Sequence, residues 1–519
     1  MKSKRSTFWP LYAALSAIAG VWLGIFISEN QAPTQNKFSL SENRLNKLQR
    51  IFALIENNYV ERVNVDSLMD YAINDILHRL DPHSSFIDSA QSGDIEEEIT
   101  GRYYGAGMEF TIVKDTAVVL TVFPGSPAAS AAIKAGDKLL TIDGENLTIA
   151  PYVGNLQKII ELIRNPKRNK IRITLLRENS KFTKTLEKEW IAVPSVNEGF
   201  YLPGGIAVIG IERFAENTYQ NFLREAKKLR IDTAKGVILD LRDNPGGLMI
   251  EAVRVAREFL SANDTVVIVE DRSKAREAVK AVSDGRFRKL PLVVLVNEGT
   301  ASAAEVLAGA IQDNSRGLIA GSPTFGKGLV QEESLLPDGS RVRITTARYF
   351  TPSGRSIQSP YLPEIHKQNS GDRKIHTSKN GKTLLERGGI QPDINLKYKE
   401  LHHFAHSMQY MINPSEIMFE YVSKNGESWK NMGFERFLKD FKPTFEEALQ
   451  LMGMRKNAST EAASQEMKDF SILHVKATLA YMLYGPQAGK KVIKMNDPIV
   501  LTIAEQFNSQ LTKERTRAD

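Results

Sequence analysis

The chain has 519 residues, 42% of them apolar, no cysteine and a formal net charge of +7. That length predicts two to four domains, and the missing cysteines exclude disulfides and thiolate metal sites. Its charges are interspersed, with no Lys/Arg tract interleaved with aromatics, so no nucleic-acid partner is expected.

Lys2, Lys4 and Arg5 precede a stretch from Phe8 to Ser28 that carries no charge. A helix of about 20 apolar residues spans a bilayer. The basic flank should stay in the cytoplasm and the body should be exported. A cleavable signal peptide is the competing reading. The run is long for one, and no convincing small-x-small site follows it.

Glu29 to Lys37 is polar and reads as a linker. Leu40 to Arg79 is helical by pattern, with Leu45, Leu48, Ile51, Phe52 and Ile55 on a 3.6-residue period. Leu80-Asp81-Pro82-His83-Ser84-Ser85-Phe86 then forms a turn, in which His83 reads as structural. From Gly101 to about Leu186 the chain predicts short strands at Phe110–Val113, Ala117–Thr121, Lys138–Ile142 and Lys170–Leu176. Turn signals separate them at Pro124-Gly125-Ser126-Pro127, Ala135-Gly136-Asp137 and Asp143-Gly144.

From Ile206 strands and helices alternate. Strands are predicted at Ile206–Ile211, Gly236–Leu241, Val266–Val269 and Leu292–Val296, with helices at Ala215–Leu229 and up to Phe259. This is the pattern of an α/β layer around a largely parallel sheet. Functional residues in such sheets gather beyond the carboxyl ends of the strands. After about Leu401 the pattern is mostly helical, most clearly over Pro443–Met452 and Ser471–Tyr484.

Two loops carry chemistry. Asn297-Glu298-Gly299-Thr300-Ala301-Ser302-Ala303-Ala304-Glu305 puts a serine where an apolar strand becomes a helix. Phe325-Gly326-Lys327-Gly328 puts a lysine on a Gly-flanked loop, and no histidine lies between the two. A serine hydroxyl is a weak nucleophile until a base takes its proton. A lysine can be that base when burial lowers its pKa. The pair suggests a serine hydrolase of the Ser-Lys kind. The plainer reading makes Ser302 and Glu305 a capping box and Lys327 a solvated loop lysine. The glycines beside Lys327 favour a backbone that passes close to another group. His402 and His406 share a helix face beside His403, but no Glu follows His402 as a His-Glu-x-x-His zinc motif needs. No metal and no cofactor is expected.

Six groups of residues now resemble one family. Thr300 to Glu305, Phe325-Gly326-Lys327-Gly328-Leu329-Val330-Gln331 and Thr345 to Gln358 are similar to the C-terminal processing peptidases, or tail-specific proteases. Asp240-Leu241-Arg242-Asp243-Asn244-Pro245-Gly246-Gly247, Leu80 to Ser85 and Gly389-Ile390-Gln391-Pro392-Asp393 follow the same pattern. The resemblance implies a PDZ domain ahead of the catalytic core. Tyr104-Gly105-Ala106-Gly107-Met108-Glu109-Phe110 resembles its carboxylate-binding loop and the strand after it. Backbone N–H groups around two glycines can hold a terminal carboxylate, and an extended peptide can add to the sheet edge. A plain turn is the alternative.

By resemblance, Ser302 is the nucleophile, Lys327 the general base and Gln331 its orienter. Oxyanion donors would be the Ala303 N–H and one of Gly246 or Gly247. An unperturbed lysine titrates near 10.4, whereas a useful base lies near 7 to 8. Only a dry site supplies that shift, so the site is expected to assemble only when the PDZ domain and core are correctly placed.

The expected architecture is α/β (α+β multidomain), with a crotonase/ClpP-like α/β protease core and an inserted PDZ-like domain. Its parts are an anchor at 1–30, a helical segment at 31–98, the PDZ-like domain at 99–188, the core at 189–396 and a helical extension at 397–519. The expected function is a serine endopeptidase that cuts exported proteins near their C-termini after PDZ capture of the tail. Its expected location is the bacterial cell envelope, anchored in the inner membrane, with the body on the periplasmic side. Expected partners are unstructured C-terminal tails and the membrane; a homo-oligomer or an adaptor stays open. A silent peptide-binding scaffold would lack the serine, lysine or glutamine, and all are present. A crotonase-like acyl-CoA enzyme would not need the PDZ-like insert. For residues 397–519, covering the core, self-association and partner docking stay open.

Overall fold

The computed structural model describes residues 42–89, 92–165, 168–359, 374–386, 388–396, 412–455 and 463–518. The apolar stretch Phe8–Ser28, the linker Glu29–Lys37 and the cluster His402, His403 and His406 lie outside the described residues. Among the described residues no helix is long and apolar enough to cross a membrane.

The chain divides into two units, residues 1–76 and 77–519. The first holds α1 (Glu42–Asn58) and most of α2 (Val65–His78). Asn64 separates them: its Oδ1 accepts the Ser67 N–H at 3.1 Å, an N-cap that starts α2.

The second unit begins with β1 (Ser85–Ile87), α3 (Ser92–Thr100) and β2 (Arg102–Gly105). A small antiparallel sheet follows: β3 (Met108–Val113), β4 (Thr116–Val122), β5 (Lys138–Ile142), β6 (Glu145–Asn146), β7 (Lys170–Arg177) and β8 (Ser180–Glu187). Its order is β3-β4-β5-β7-β8, with β6 on β5. Asp143 (φ 51°) and Gly144 (φ 92°) make the two-residue β5–β6 turn, as that turn type requires. Two helices lie in the connections, α4 (Pro127–Ser130) and α5 (Leu156–Arg164). Ser126 caps α4, its Oγ accepting the Ala129 N–H at 3.2 Å. Alternate residues of the strands, such as Ile171, Ile173 and Leu175, face a common core with Ile159 and Ile163 of α5. Then β9 (Glu189–Ala192) pairs back onto β2.

The central sheet holds β10 (Phe200–Leu202), β11 (Ile206–Gly210), β12 (Gly236–Asp240), β15 (Leu292–Val296), β16 (Leu318–Gly321) and β21 (Ile394–Asn395), in that spatial order. From β11 onward the neighbours are parallel; only β10 runs antiparallel. Such strands are buried on both faces and read as continuous apolar runs. Ala207, Ile209, Val237, Leu239, Val294 and Val296 face α6 (Thr218–Leu229), α7 (Met249–Arg257) and α8 (Ala303–Asp313). Ile206, Val208, Ile238, Val293 and Leu295 face the other way, onto Val500, Ile503, Ala504 and Phe507 of the last helix.

One expectation is corrected. The predicted strand Val266–Val269 exists as β13 (Thr265–Glu270), but it leaves the parallel sheet. No crossover helix follows it; the chain turns back directly into β14 (Arg276–Lys280), which forces antiparallel pairing. With β17 (Leu329–Leu335), β18 (Arg341–Phe350) and β1 these strands make a second sheet. A short hairpin, β19 (Ile375–Thr377) and β20 (Thr383–Leu385), completes the strands.

The extension forms α9 (Glu416–Met432), α10 (Phe434–Asp440), α11 (Phe445–Leu451), α12 (Gln465–Tyr484), α13 (Pro486–Met495) and α14 (Pro498–Ala518). Its helices share one core with Val118 and Leu120 of β4, while α14 covers the second face of the central sheet. Covering the core is therefore one role that the extension has.

Candidate active site

Ser302 stands just before α8 with φ 53° and ψ −117°, a conformation an L-residue rarely adopts. Such strain costs of order 1–3 kcal/mol and persists only where the surroundings impose it. The surroundings are two loops at the carboxyl ends of β12 and β15. Asn297 Oδ1 accepts the Asp243 N–H at 2.8 Å, and Asn297 Nδ2 donates to Asp243 Oδ1 at 2.8 Å. Thr300 Oγ1 donates to the Leu241 carbonyl at 2.8 Å, and the Ala301 N–H donates to the Asn244 carbonyl at 2.9 Å. Asn297 and Thr300 thus pin the serine loop to the Asn244–Gly247 loop.

Gly246 packs on the serine itself. A Cβ there would lie 2.8 Å from Ser302 Cβ and 3.0 Å from the Ala303 nitrogen, and φ is +103°. The Gly246 N–H donates to Asn244 Oδ1 at 2.9 Å, and its carbonyl accepts the Phe214 N–H at 2.7 Å. Among the described residues, neither the Gly247 N–H nor the Ala303 N–H has a hydrogen-bond partner.

Glu305 proves to be more than a cap. Its Oε2 accepts the Ser302 N–H at 2.9 Å, the carboxylate arm of the capping box. The same carboxyl accepts the Gly326 N–H at 2.8 Å, the Lys327 N–H at 2.9 Å and the Thr324 hydroxyl at 2.5 Å. One side chain, 0% exposed, therefore binds the serine loop to the lysine loop. Burial pushes its pKa up to about 7, against these four donors, which pull it down. Tyr349 adds a second tie: its hydroxyl reaches the carbonyls of Ser302 (2.9 Å) and Lys327.

The glycines flanking Lys327 are explained by close approach. A Cβ on Gly326 would meet Ser359 Oγ at 2.0 Å and the Gly389 nitrogen at 2.9 Å. Gly328 donates to Gln358 Oε1 at 2.8 Å, and Ile390 donates to Thr324 Oγ1 at 2.6 Å. The Ser356–Gln358 and Gly389–Asp393 motifs thus shape the lysine loop.

Lys327 Nζ donates to Gln331 Oε1 at 2.8 Å. Its pKa is lowered, by burial first and then by the nearby Arg343 guanidinium. Arg343 is held by Glu333 at 2.5 Å. Asp81 accepts the N–H groups of His83 and Ser84, both at 2.8 Å, and its charge acts on Lys327 in the opposite direction. The His83 pKa is lowered by burial and by Lys327. The Leu80–Ser85 turn therefore borders the site. Ser302, Ala303, Gly246, Gly247, Lys327 and Gln331 all line one cleft of about 490 Å³. Phe214, Met249, Val306 and Leu329 make its apolar wall. Among the described residues no hydrogen bond joins Ser302 to Lys327.

The second group, Tyr104 to Phe110, lies elsewhere. Tyr104 packs on Trp190 across the β2–β9 pair, with ring centroids 5.5 Å apart. Gly105 ends β2. The Ala106 carbonyl accepts the Ala128 N–H at 2.9 Å, and the Gly107 carbonyl accepts the Phe123 N–H at 2.9 Å. Burial raises the Tyr103 pKa, and its hydroxyl lies near the Gly107 N–H without a hydrogen bond to it. Met108 and Phe110 turn into the small sheet's core. The Glu109 carboxylate is bound by the Tyr481 hydroxyl of α12. The outer edge of β3 has no strand partner among the described residues.

Sequence reasoning read Glu305 only as a cap and missed Tyr349 and Tyr103. Glu305 and Tyr349 lie inside quoted motifs, but their partners are distant in the chain. Tyr103 gave no signal beyond its position beside Tyr104.

A parallel α/β sheet with a strained serine and a half-buried lysine in one cleft, beside a separate small β-domain, is the arrangement of a serine-type peptidase. The comparisons agree. Residues 205–366 match peptidase family S41, residues 118–177 match the PDZ domain, and residues 17–91 match the N-terminal domain of the activating protease CtpB. A carboxy-terminal-processing protease of Bartonella bacilliformis is 33% identical over 352 residues, covering 66% of this chain and 79% of its own length. Carboxy-terminal processing protease CtpA of Bacillus subtilis is 29% identical over 406 residues, 74% of this chain and 86% of its own. A solved photosystem II D1 C-terminal processing protease shares 29% identity over 69% of this chain and 87% of its own, with a TM-score of 0.37. The chain belongs to the S41 family of carboxy-terminal processing proteases.

Proposed function

We propose that the protein is a Ser-Lys endopeptidase that cuts proteins near their C-termini after its PDZ domain has captured the tail. The observation that carries this reading is the Lys327 amine. It is partly buried, has a lowered pKa, is held by Gln331 and lines the same cleft as Ser302.

In the proposed reaction neutral Lys327 Nζ takes the Ser302 hydroxyl proton as Oγ attacks the scissile carbonyl carbon. The oxygen of the tetrahedral adduct is met by the N–H groups of Ala303 and Gly247. Of the two glycines, Gly247 is preferred because the Gly246 N–H already serves Asn244. The ammonium then returns its proton to the leaving amine as the peptide C–N bond breaks. Water, deprotonated by the same amine, hydrolyses the acyl ester. Gln331 orients the lysine throughout.

Tail capture would use the free edge of β3 and the loop Tyr104–Phe110. The edge supplies main-chain hydrogen bonds and the loop a carboxylate site. The N-terminal stretch Phe8–Ser28 would anchor the chain, placing the body outside the cytoplasm in the bacterial envelope. Assembly of the site only on correct docking of the PDZ domain belongs to the same proposal, as the missing Ser302–Lys327 hydrogen bond suggests.

The test is cleavage of an unstructured protein with an apolar C-terminus by the full chain. Ser302→Ala and Lys327→Ala should each lose about 10⁴-fold or more in kcat/KM. Wild-type cleavage by either variant would refute the dyad.

A further inference from the structure

Six charged side chains meet beneath the loops that border Ser302. Asp240 ends β12 and is 2% exposed. Its Oδ1 accepts from Arg242 Nε at 2.9 Å. Its Oδ2 accepts from Arg242 Nη2 at 2.9 Å and from Lys494 Nζ at 3.0 Å. Arg242 Nη2 donates also to Asp497 Oδ2 at 2.7 Å. Asp497 Oδ1 accepts the Ile499 N–H at 2.8 Å, so the same carboxylate caps α14. Just past β11, Glu212 receives Lys490 Nζ at 2.7 and 2.8 Å. Lys490 and Lys494 stand one turn apart on α13, on one face. Asn197, with its amide turned to satisfy both neighbours, donates to Glu212 at 2.9 Å and accepts from Lys494 at 3.1 Å.

The cluster is neutral, with three acids (Glu212, Asp240, Asp497) and three bases (Arg242, Lys490, Lys494). Its backbone is shaped for the lysine: a Cβ on Gly210 would meet Lys494 Nζ at 2.6 Å. The two strands that it grips lead into the cleft. After β11 comes Phe214, whose N–H donates to the Gly246 carbonyl and whose carbonyl accepts the Leu248 N–H, both at 2.7 Å. After β12 comes the Asn244–Gly247 loop itself.

We infer that the corner between α13 and α14 positions the Gly246–Gly247 loop: Lys494 and Asp497 hold the end of β12 and Lys490 holds Glu212 just past β11, the two strand ends from which the candidate oxyanion site is built. The inference rests on the oxyanion role proposed above for that loop. Lys494 and Asp497 touch no reacting atom; they act through Asp240 and Arg242. Loss of either leaves an unbalanced buried charge, which the strand ends relieve by shifting. A displacement of about 1 Å at a catalytic group can cost 10²-fold in rate.

The test uses the full chain and a short unstructured peptide substrate, with kcat and KM measured separately. Lys494→Met and Asp497→Asn, the latter keeping a capping side chain, should each lower kcat by about tenfold or more with KM within about twofold. Lys494→Arg should restore most of kcat. Near-ultraviolet circular dichroism reports folding. Wild-type kcat in either folded variant would overturn the inference, as would equal losses in kcat and affinity. Unfolding of both would also overturn it, because the cluster would then serve stability and not position. Ser302→Ala run in parallel separates the two claims: if it stays active the catalytic reading fails, and if it is dead while Lys494→Met matches wild type only this inference fails.

Discussion

At the Ser302 cleft, the loops after β15 and β16 converge on one buried carboxyl, and Asn297 and Thr300 pin the loop after β12 to the serine loop. At the Tyr104–Phe110 loop of the PDZ domain, the outer edge of β3 meets no strand among the described residues. Its far face is closed instead, by Tyr481 on Glu109 and by helices packed on Val118 and Leu120. The contrast fits the two tasks proposed for these regions. Acyl transfer needs donors and a base fixed before substrate arrives. Recognition of an extended peptide needs an unfilled edge and a firm backing.

The contrast can be broken at its rigid end. Gly246→Ala would put a methyl 2.8 Å from Ser302 Cβ at φ +103°. The expected loss in kcat is about 10²–10³-fold, the scale of one lost oxyanion donor. A variant with normal kcat would show the loop to be slack, and the comparison would fail.

Glu305 tests the pinning. A carboxyl raised from 4.5 to about 7 binds more protons folded than unfolded. Its contribution to stability is therefore fully present below about pH 4.5 and lost as pH rises through about 7. The full swing is roughly 3 kcal/mol. Melting temperature should fall from pH 5 to pH 8, and Glu305→Gln should flatten that slope while leaving the amide facing N–H donors. An unchanged slope in the variant would assign the pH dependence elsewhere.

The smallest effect lies at the open end. Tyr103→Phe removes the hydroxyl beside the Gly107 N–H. Binding of a C-terminal peptide should tighten by about twofold, less than one neutral hydrogen bond's worth, as titration calorimetry would read. Weaker binding would mean that the tyrosine assists capture and does not compete with it.

Much of this was legible in the chain because the chemistry sits in contiguous motifs. Ser302, Lys327 and Gln331 announce themselves by residue type, and the structure brings them to one cleft. The apolar runs of β11, β12 and β15 predict their own burial. What escaped depends on distance. Glu305 reads locally as a cap, whereas three of its four donors lie about 20 residues on. Lys494 and Asp497 meet Asp240 and Arg242 across half the chain, and no local pattern encodes such a pairing. The strand β13 looks like any other apolar run; only its tight return into β14 sends it to the second sheet.

The central claim is that Lys327, unprotonated and held below the usual lysine range, activates Ser302. Its most direct measurement is the rate of Ser302 acylation by an activated ester, followed by intact mass across pH. The rate should rise with pH through a titration below that of an ordinary lysine. Arg343→Gln, which removes a neighbouring positive charge, should move that titration to higher pH. Lys327→Ala should abolish it. Acylation of Lys327→Ala at the wild-type rate, with the same pH profile, would contradict the account.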